Sequence, residues 1–276
     1  MPPFGPLQKY WDRLALAPPG PVRIEGLPAP VAKPVTRTMI FARAESFEAL
    51  RKLAGQEASF TATLGKPVVR KTYNVLGVIP GSAPEAEAQS ILLSAHYDHL
   101  APLGGVLYRG ANDDASGTSA VLEFARQLGG GKTPRRTVRF TLFGCEEAGG
   151  HGAKYFLDHP PAPLNSIAAN LEFEMIGVPD PERPSTLMLT GWERSNLGPA
   201  LKAQGADLGV DRYPEQNFFQ RSDNYQLAKR GVVAHTISAW PVPASYHQPS
   251  DTIANLDMPF MLRVIESLSG PIRWLV

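Results

Sequence analysis

Short apolar segments alternate with helix-like segments along most of this chain, and this alternation limits its fold more than any other feature. Residues 91–95 form a short apolar run of the kind that a strand buried on both faces requires. A glycine-rich loop follows, and apolar side chains then recur at helical spacing at Val121, Phe124 and Leu128. The same succession predicts strands at 137–143, 167–175 and 232–238, and helices at 152–158, 222–231 and after Asp257. The sequence therefore predicts an α/β protein, a three-layer α/β/α sandwich with a mixed, mainly parallel central sheet.

The first 35 residues differ in composition from the rest. Nine of the 27 prolines lie in residues 1–34, where they interrupt both helices and strand pairing. We therefore expect a Pro-rich arm or linker over residues 1–35 and a single domain over residues 36–276. Regular patterns begin in this domain with a strand at 39–42, a helix from Glu45, and strands at 59–64 and 68–78.

Charge and cysteine content exclude several classes of partner. The formal net charge is +1, and no cluster of lysine and arginine is long enough to suggest nucleic acid or an anionic membrane as a partner. No stretch approaches the roughly 20 apolar residues of a membrane-spanning helix. Cys145 is the only cysteine, so an intrachain disulfide is excluded. We expect a soluble protein with small-molecule or peptide partners, either cytoplasmic or, if a leader has been removed, periplasmic or secreted.

Histidine and carboxylate side chains stand where the predicted strands give way to loops. The carboxyl ends of parallel strands meet at one edge of an open α/β sheet, which is where such folds place their ligands. Residues that are far apart in the sequence are thus expected to form one site. Five of them have metal-ligand chemistry: His96, Asp113, Glu147, Glu174 and His247.

This set of residues suits zinc, which accepts imidazole nitrogen and carboxylate oxygen and leaves a position open for water in catalytic sites. Two histidines and three carboxylates are enough for two zinc ions if one carboxylate bridges them. We predict that His96 and Glu174 bind one ion. Glu147 and His247 would bind the other, with Asp113 bridging the two. Cobalt or manganese also suits such ligands.

Glu146 directly precedes Glu147 in the segment Gly144-Cys145-Glu146-Glu147. One carboxylate of this pair can bind a metal while its neighbour stays free to transfer protons. We predict that Glu146 takes a proton from a metal-activated water and passes it to a leaving amine. Such a role is worth roughly 100- to 10,000-fold in rate.

Five short segments occur in an order and at spacings that match a known family. They are His-Tyr-Asp at 96–98, Asn-Asp-Asp-Ala-Ser-Gly at 112–117, Glu-Glu at 146–147, Glu-Met-Ile-Gly at 174–177 and Tyr-His-Gln-Pro-Ser-Asp-Thr at 246–252. Together they resemble the M28 family of zinc-dependent aminopeptidases, which also includes carboxypeptidase and glutaminyl cyclase relatives. The resemblance runs from about Thr72 to the C-terminus. It implies the zinc-exopeptidase fold, which is phosphorylase/hydrolase-like, and makes residues 36–276 a catalytic domain.

The resemblance also implies roles for individual residues. The five predicted ligands match the family's ligand positions, and Glu146 matches its general base. Tyr246 corresponds to a tyrosine that hydrogen-bonds the tetrahedral intermediate in some members. Asp98 would either orient the neighbouring histidine or cap its loop, and Arg221 would either contact substrate or form a surface salt bridge. In the family, the peptide bond that precedes the position of Asp114 is often cis.

One position departs from the family pattern, since the family usually has aspartate where this chain has Glu174. The longer side chain changes where the carboxylate oxygens reach, and Glu172 lies two residues away on the same face of the strand. We favour Glu174 as the ligand because it directly precedes the Met-Ile-Gly segment, with binding of one metal instead of two as an alternative. Four further histidines are expected to have ordinary structural roles: His99, His151, His159 and His235.

These features predict a metallo-exopeptidase that removes N-terminal residues from peptides with water activated by two zinc ions. Its partner would be a peptide with a free N-terminus, whose ammonium group would bind the carboxylates of Glu146 and Glu174. One alternative is a glutaminyl-cyclase-like zinc acyltransferase, and another is a catalytically inactive binding domain on the same fold. The complete ligand set and the presence of Glu146 favour the hydrolase.

Overall fold

The structure, a computed structural model, describes residues 44–57, 59, 69–84, 89–239 and 242–276. The chain divides into two compact units, of which the smaller is Pro21–Lys71 and the larger contains Thr72–Val276. In the smaller unit, helix α1 (Ala44–Arg51) confirms the helix predicted from Glu45. The predicted arm at 1–35 and the predicted strands at 39–42 and, apart from Ser59, at 59–64 lie outside the described residues.

The larger unit is built on one sheet of seven described strands. Their bounds are β1 (Val75–Ile79), β2 (Ser90–His96), β3 (Thr137–Phe143), β4 (Ile167–Phe173), β5 (Leu187–Leu189), β6 (Leu208–Val210) and β7 (Ala234–Ser238). They lie in the order β1-β3-β2-β4-β7-β5-β6. The four central strands are parallel to one another, whereas β1 is antiparallel to β3 and β5 is antiparallel to β7. The mixed, mainly parallel sheet that the sequence predicted is confirmed.

Helices cover both faces of this sheet. Alternate side chains of β2 point to opposite faces, so Ile91 and Leu93 pack into one hydrophobic cluster and Leu92 into another. Three helices contribute to the first cluster: α2 (Gly117–Gly129), α4 (Leu197–Ala203) and α6 (Met258–Leu275). Two contribute to the second: α3 (His151–Asp158) and α5 (Asn224–Ala228). The arrangement is the predicted three-layer α/β/α sandwich.

The parallel strands bring the predicted ligands to one edge of the sheet. His96 is the last residue of β2 and pairs with Phe143, the last residue of β3, which leads into Glu146 and Glu147. Strand β4 lies on the other side of β2 and ends one residue before Glu174. Because these strands run in the same direction, the residues that follow them converge.

Some predicted elements are shorter in the structure. Strand β4 ends at Phe173, two residues earlier than predicted, because Met175 has a left-handed backbone conformation with a φ angle of 54°. The strand predicted at 68–78 is confirmed only over β1, and the helix predicted at 222–231 only over α5. The final helix begins as predicted, with Asp257 accepting a hydrogen bond of 2.8 Å from the Phe260 amide. The described helices include no candidate membrane span, since none has the length and apolar character that crossing a bilayer requires.

Candidate active site

His96 ends strand β2 and is buried. Its Nδ1 atom lies 3.1 Å from the main-chain oxygen of Asp98, and Thr118 Oγ1 donates a hydrogen bond of 2.9 Å to the carbonyl oxygen of His96. Its Nε2 atom lies 3.2 Å from Asp113 Oδ1. These contacts fix the imidazole ring with Nε2 directed at Asp113, just as hydrogen bonds to the other ring nitrogen orient metal-binding histidines.

Asp113 lies in an irregular segment, Ala111–Ser116, that Asp251 anchors from a distant part of the chain. Asp251 Oδ1 accepts a hydrogen bond of 2.9 Å from the Asn112 amide, and Asp251 Oδ2 accepts one of 3.1 Å from the Asp113 amide. The peptide bond between Asp113 and Asp114 is cis. The buried carboxylate of Asp251 thus positions the backbone of Asp113.

The same segment is joined to the turn that carries Glu174. The backbone amides of residues 175–177 donate hydrogen bonds of 2.9 to 3.0 Å to three of its side chains: Asp114, Ser116 and Asn112. Strand β4 has ended at this point, so these amides find side-chain acceptors instead of a neighbouring strand. The bonds hold Glu174 in a fixed position relative to Asp113.

Asp98 organises the loop that carries the two adjacent glutamates. Its Oδ1 accepts a hydrogen bond of 3.0 Å from the Glu146 amide, and its Oδ2 accepts one of 3.3 Å from the Glu147 amide. The carboxylate also lies 3.8 Å from Nδ1 of His96. Asp98 therefore contacts His96 chiefly through its main-chain oxygen, while its side chain supports Glu146 and Glu147.

Donor atoms come together in two groups, and Asp113 belongs to both. In the first group, His96, Asp113 and Glu174 each offer one ligand atom, and these atoms lie within 4.8 Å of one another. Glu172, the other carboxylate on this strand, instead accepts a hydrogen bond from the Asn224 amide. Of the two glutamates, the structure brings Glu174 close to His96 and Asp113.

The second group contains His99, Asp113 and Glu147, whose ligand atoms also lie within 4.8 Å of one another. The predicted ligand His247 adjoins it, with Nε2 at 3.2 Å from Asp113 Oδ2 and 3.1 Å from Glu147 Oε2. The five ligands predicted from the sequence therefore lie together in the structure, and His99 lies with them.

The chemistry of these donors fits a metal ion. Four of the atoms, His96 Nε2, His99 Nδ1, Asp113 Oδ2 and Glu147 Oε1, are buried without a hydrogen-bond partner among the described residues, although each lies 2.9 to 3.2 Å from a ligand atom of another residue. Two ligands of a tetrahedral zinc ion, each bound at about 2.1 Å, are separated by about 3.4 Å. Atoms that lie this close together without being aligned for a hydrogen bond have the arrangement of ligands that share one cation.

The electrostatics of the site also favour a cation. Burial raises the pKa of Glu146 to about 9 and that of Glu174 to about 7, although His96 partly opposes both shifts. Burial alone would lower the pKa of His247, but its contacts with two carboxylates raise it to about 9. Burial would raise the pKa of Asp113, yet His247 and His96 hold it well below its usual range. The site therefore concentrates carboxylates that a divalent cation would stabilise in their charged form.

Tyr246 and Arg221 lie beside the second group. The Tyr246 ring stacks on the His247 ring with centroids 3.8 Å apart and an angle of 19° between the planes. Arg221 Nη2 donates to the Tyr246 hydroxyl in a long contact of 3.5 Å, and its guanidinium lies 5.1 Å from the centroid of the Phe218 ring. Burial raises the pKa of Tyr246, so its hydroxyl keeps its proton and can donate a hydrogen bond.

Three residues near the site make contacts there that the sequence did not predict. His99, for which the sequence suggested an ordinary structural role, lies against Glu147, and its only sequence signal is that it follows His96 by three residues. Asp223 is buried, and burial together with Glu172 raises its pKa. The anchoring role of Asp251 depends on a contact across 138 residues that no local pattern indicates.

Comparison with known proteins gives the class of this chain. A sequence model of peptidase family M28 matches residues 74–269. The chain therefore belongs to peptidase family M28, and the resemblance found in its motifs is confirmed.

The chain covers only part of the relatives that it matches. Leupeptin-inactivating enzyme 1 of Streptomyces exfoliatus is 34% identical over 162 residues, which are 58% of this chain and 34% of that protein. The structure of BSAP, a zinc aminopeptidase from Bacillus subtilis, is similar with a TM-score of 0.61 and 24% identity over 74% of this chain and 50% of that one. Glutaminyl cyclase from Porphyromonas gingivalis has a TM-score of 0.56 and 19% identity over 74% of this chain and 77% of that one. At these identities the two structures demonstrate a shared fold.

Proposed function

We propose that this chain is a zinc-dependent aminopeptidase, with residues 36–276 as its catalytic domain and residues 1–35 as an arm or linker. The observation that carries the proposal is that two groups of ligand atoms share Asp113, and that the second includes Glu147, which Glu146 directly precedes in the sequence. The curated relative from Streptomyces exfoliatus is named for the inactivation of leupeptin, and BSAP is named a zinc aminopeptidase. Both names agree with hydrolysis of peptides.

Two zinc ions are the expected cofactor. His96 and Glu174 would hold one ion, Glu147 and His247 would hold the other, and Asp113 would bridge them. Bound there, zinc would activate a water molecule and polarise the scissile carbonyl group. Glu174, which is longer than the usual aspartate, lies in the first group with one ligand atom within 4.8 Å of those of His96 and Asp113. Its reach supports binding of both ions over the one-ion alternative.

Glu146 is the proposed general base. Its backbone is fixed by Asp98, and its carboxyl group is buried in a site rich in negative charge, which raises its pKa to about 9. Nearby divalent cations lower the pKa of such a group and return it to the carboxylate form. Glu146 can then accept the proton of the attacking water and transfer it to the departing amine.

The remaining groups would bind the substrate. The carboxylates of Glu146 and Glu174 would attract the ammonium group of a peptide with a free N-terminus. Tyr246, supported by Arg221, would donate a hydrogen bond to the oxyanion that forms as the carbonyl is attacked. These roles give an exopeptidase whose preference for a free N-terminus follows from the excess of carboxylates in the site.

The test is hydrolysis of unblocked aminoacyl 4-nitroanilides and their N-acetylated counterparts by zinc-loaded protein. The proposal expects cleavage of unblocked substrates only, with a loss of about 100-fold or more in Glu146→Gln. Glu266→Gln, which changes an exposed glutamate on α6, is the matched control and should retain full activity. If zinc-loaded protein cleaves no member of the panel but cyclises N-terminal glutamine, the glutaminyl-cyclase alternative replaces the proposal. If Glu146→Gln loses neither peptide cleavage nor glutamine cyclisation, the proposed role of Glu146 as general base is refuted.

A further inference from the structure

His99 lies against the second group of ligands with its side chain largely buried, at 9% exposed. It stands three residues after His96, the last residue of β2. Its Nδ1 atom lies 2.9 Å from Glu147 Oε1 and 4.0 Å from Asp113 Oδ2. The two carboxylates that His99 contacts are the same two that His247 contacts.

The close contact between His99 and Glu147 lacks the alignment of a good hydrogen bond. Both ring nitrogens of His99 and the Oε1 atom of Glu147 are buried and have no hydrogen-bond partner among the described residues. A buried polar atom without a partner is unfavourable, and a bound cation is one of the few groups that would satisfy a nitrogen and an oxygen together. The two separations from His99 Nδ1, 2.9 Å to Glu147 and 4.0 Å to Asp113, lie on either side of the about 3.4 Å between two ligands of a tetrahedral zinc ion.

The backbone provides a specific place for this ring. Gly110 has a φ angle of 61°, and a Cβ atom added there would lie 2.5 Å from Cγ of His99 and 2.4 Å from the carbonyl oxygen of Asp113. Only glycine therefore lets the His99 ring and the Asp113 backbone both pack this closely against position 110. The His99 and His247 rings meet edge to face, with centroids 5.8 Å apart, so the imidazoles approach the shared carboxylates from different directions.

We propose that His99 is a fourth protein ligand of the zinc ion held by Asp113, Glu147 and His247. This inference rests on the proposed function, because it concerns one of the two ions that the function requires. Four side chains would then hold this ion, the number found in structural zinc sites, whereas three would hold the other ion. The second site is thus expected to bind zinc more tightly than the first.

The experiment is a zinc titration of metal-free protein in competition with a chromophoric chelator, which measures binding without any assay of activity. Wild-type protein should bind two ions, and His99→Ala should weaken the tighter site by about 100-fold or more, since even residues that only support a ligand change affinity 10- to 100-fold. Free imidazole should restore part of the lost affinity, because it supplies the missing nitrogen. His159→Ala is the matched control, because His159 is exposed and stacks on Tyr155 with centroids 4.3 Å apart.

The possible failures are distinct from one another. If His99→Ala, or His99→Gln where the alanine variant does not fold, binds both ions as tightly as wild type, His99 is not a ligand. A loss that free imidazole does not restore at all would also overturn the inference, since it would assign His99 to packing or to support of Glu147. Wild-type protein that folds but binds no zinc would instead refute the proposed function itself.

Discussion

Asp251→Asn tests whether a carboxylate remote in sequence holds in place the segment Ala111–Ser116, which carries the proposed metal ligand Asp113. Asp251 is buried, and each of its two oxygens accepts one backbone hydrogen bond, from Asn112 at 2.9 Å and from Asp113 at 3.1 Å. Asparagine has the same shape but only one acceptor oxygen. Its amide nitrogen would therefore face one of the two backbone amides, donor against donor.

The cost follows from these two bonds. Leaving one buried amide without an acceptor costs about 1–3 kcal/mol, and replacing a charged acceptor by a neutral one weakens the other bond by about 1 kcal/mol. The free energy of unfolding should therefore fall by about 2–4 kcal/mol. Because the amide of Asp113 is one of the two, zinc affinity should fall by roughly 10- to 100-fold as well.

Urea unfolding of the metal-free protein measures the first effect and zinc titration measures the second. Asp257→Asn is the matched control, since Asp257 accepts a single bond from Phe260 at the start of α6 and asparagine caps helices about as well as aspartate. The free energy of unfolding of that variant should fall by less than about 0.5 kcal/mol. If the free energy of unfolding of Asp251→Asn falls by less than about 1 kcal/mol, or falls equally in both variants, the reasoning is refuted.

Two further predictions concern pH and the oxyanion. Without metal, burial raises the pKa of Glu146 to about 9 and of Glu174 to about 7, so the folded chain binds more protons than the unfolded chain above about pH 5. The free energy of unfolding should then fall as the pH rises from about 5 to 9, and a thermal unfolding midpoint that rises over this range in the presence of chelator would contradict the assignment. Tyr246→Phe should lower kcat by about 100-fold while leaving zinc affinity unchanged, because it removes one donor to the oxyanion. An unchanged kcat would exclude that role for Tyr246.

Much of the central sheet was predictable because its strands carry strong local signals. The bounds of β3 agree with those predicted, since Thr137–Phe143 is rich in β-branched and aromatic residues. Strands β5 and β6 have three residues each, which is too short for alternation to be recognised. The end of β4 was predicted too late because its apolar pattern continues into Met175, whose backbone is left-handed and whose amide donates to the Asp114 carboxylate instead of to a neighbouring strand.

The candidate site was predictable as a set of residues but not as a geometry. Residue types and their positions after parallel strands were enough to indicate that His96 and Glu174 would meet. The position of His99 against Glu147 was not predictable, because it depends on close packing against Gly110. The role of Asp251 likewise arises only when the fold brings it to the backbone of Asp113.

Anomalous diffraction at the zinc absorption edge from crystals of zinc-loaded protein tests the central claim most directly. The proposed site predicts two peaks about 3.5–4 Å apart, one on each side of the Asp113 carboxylate. A single peak, or two peaks that do not share Asp113, would contradict it.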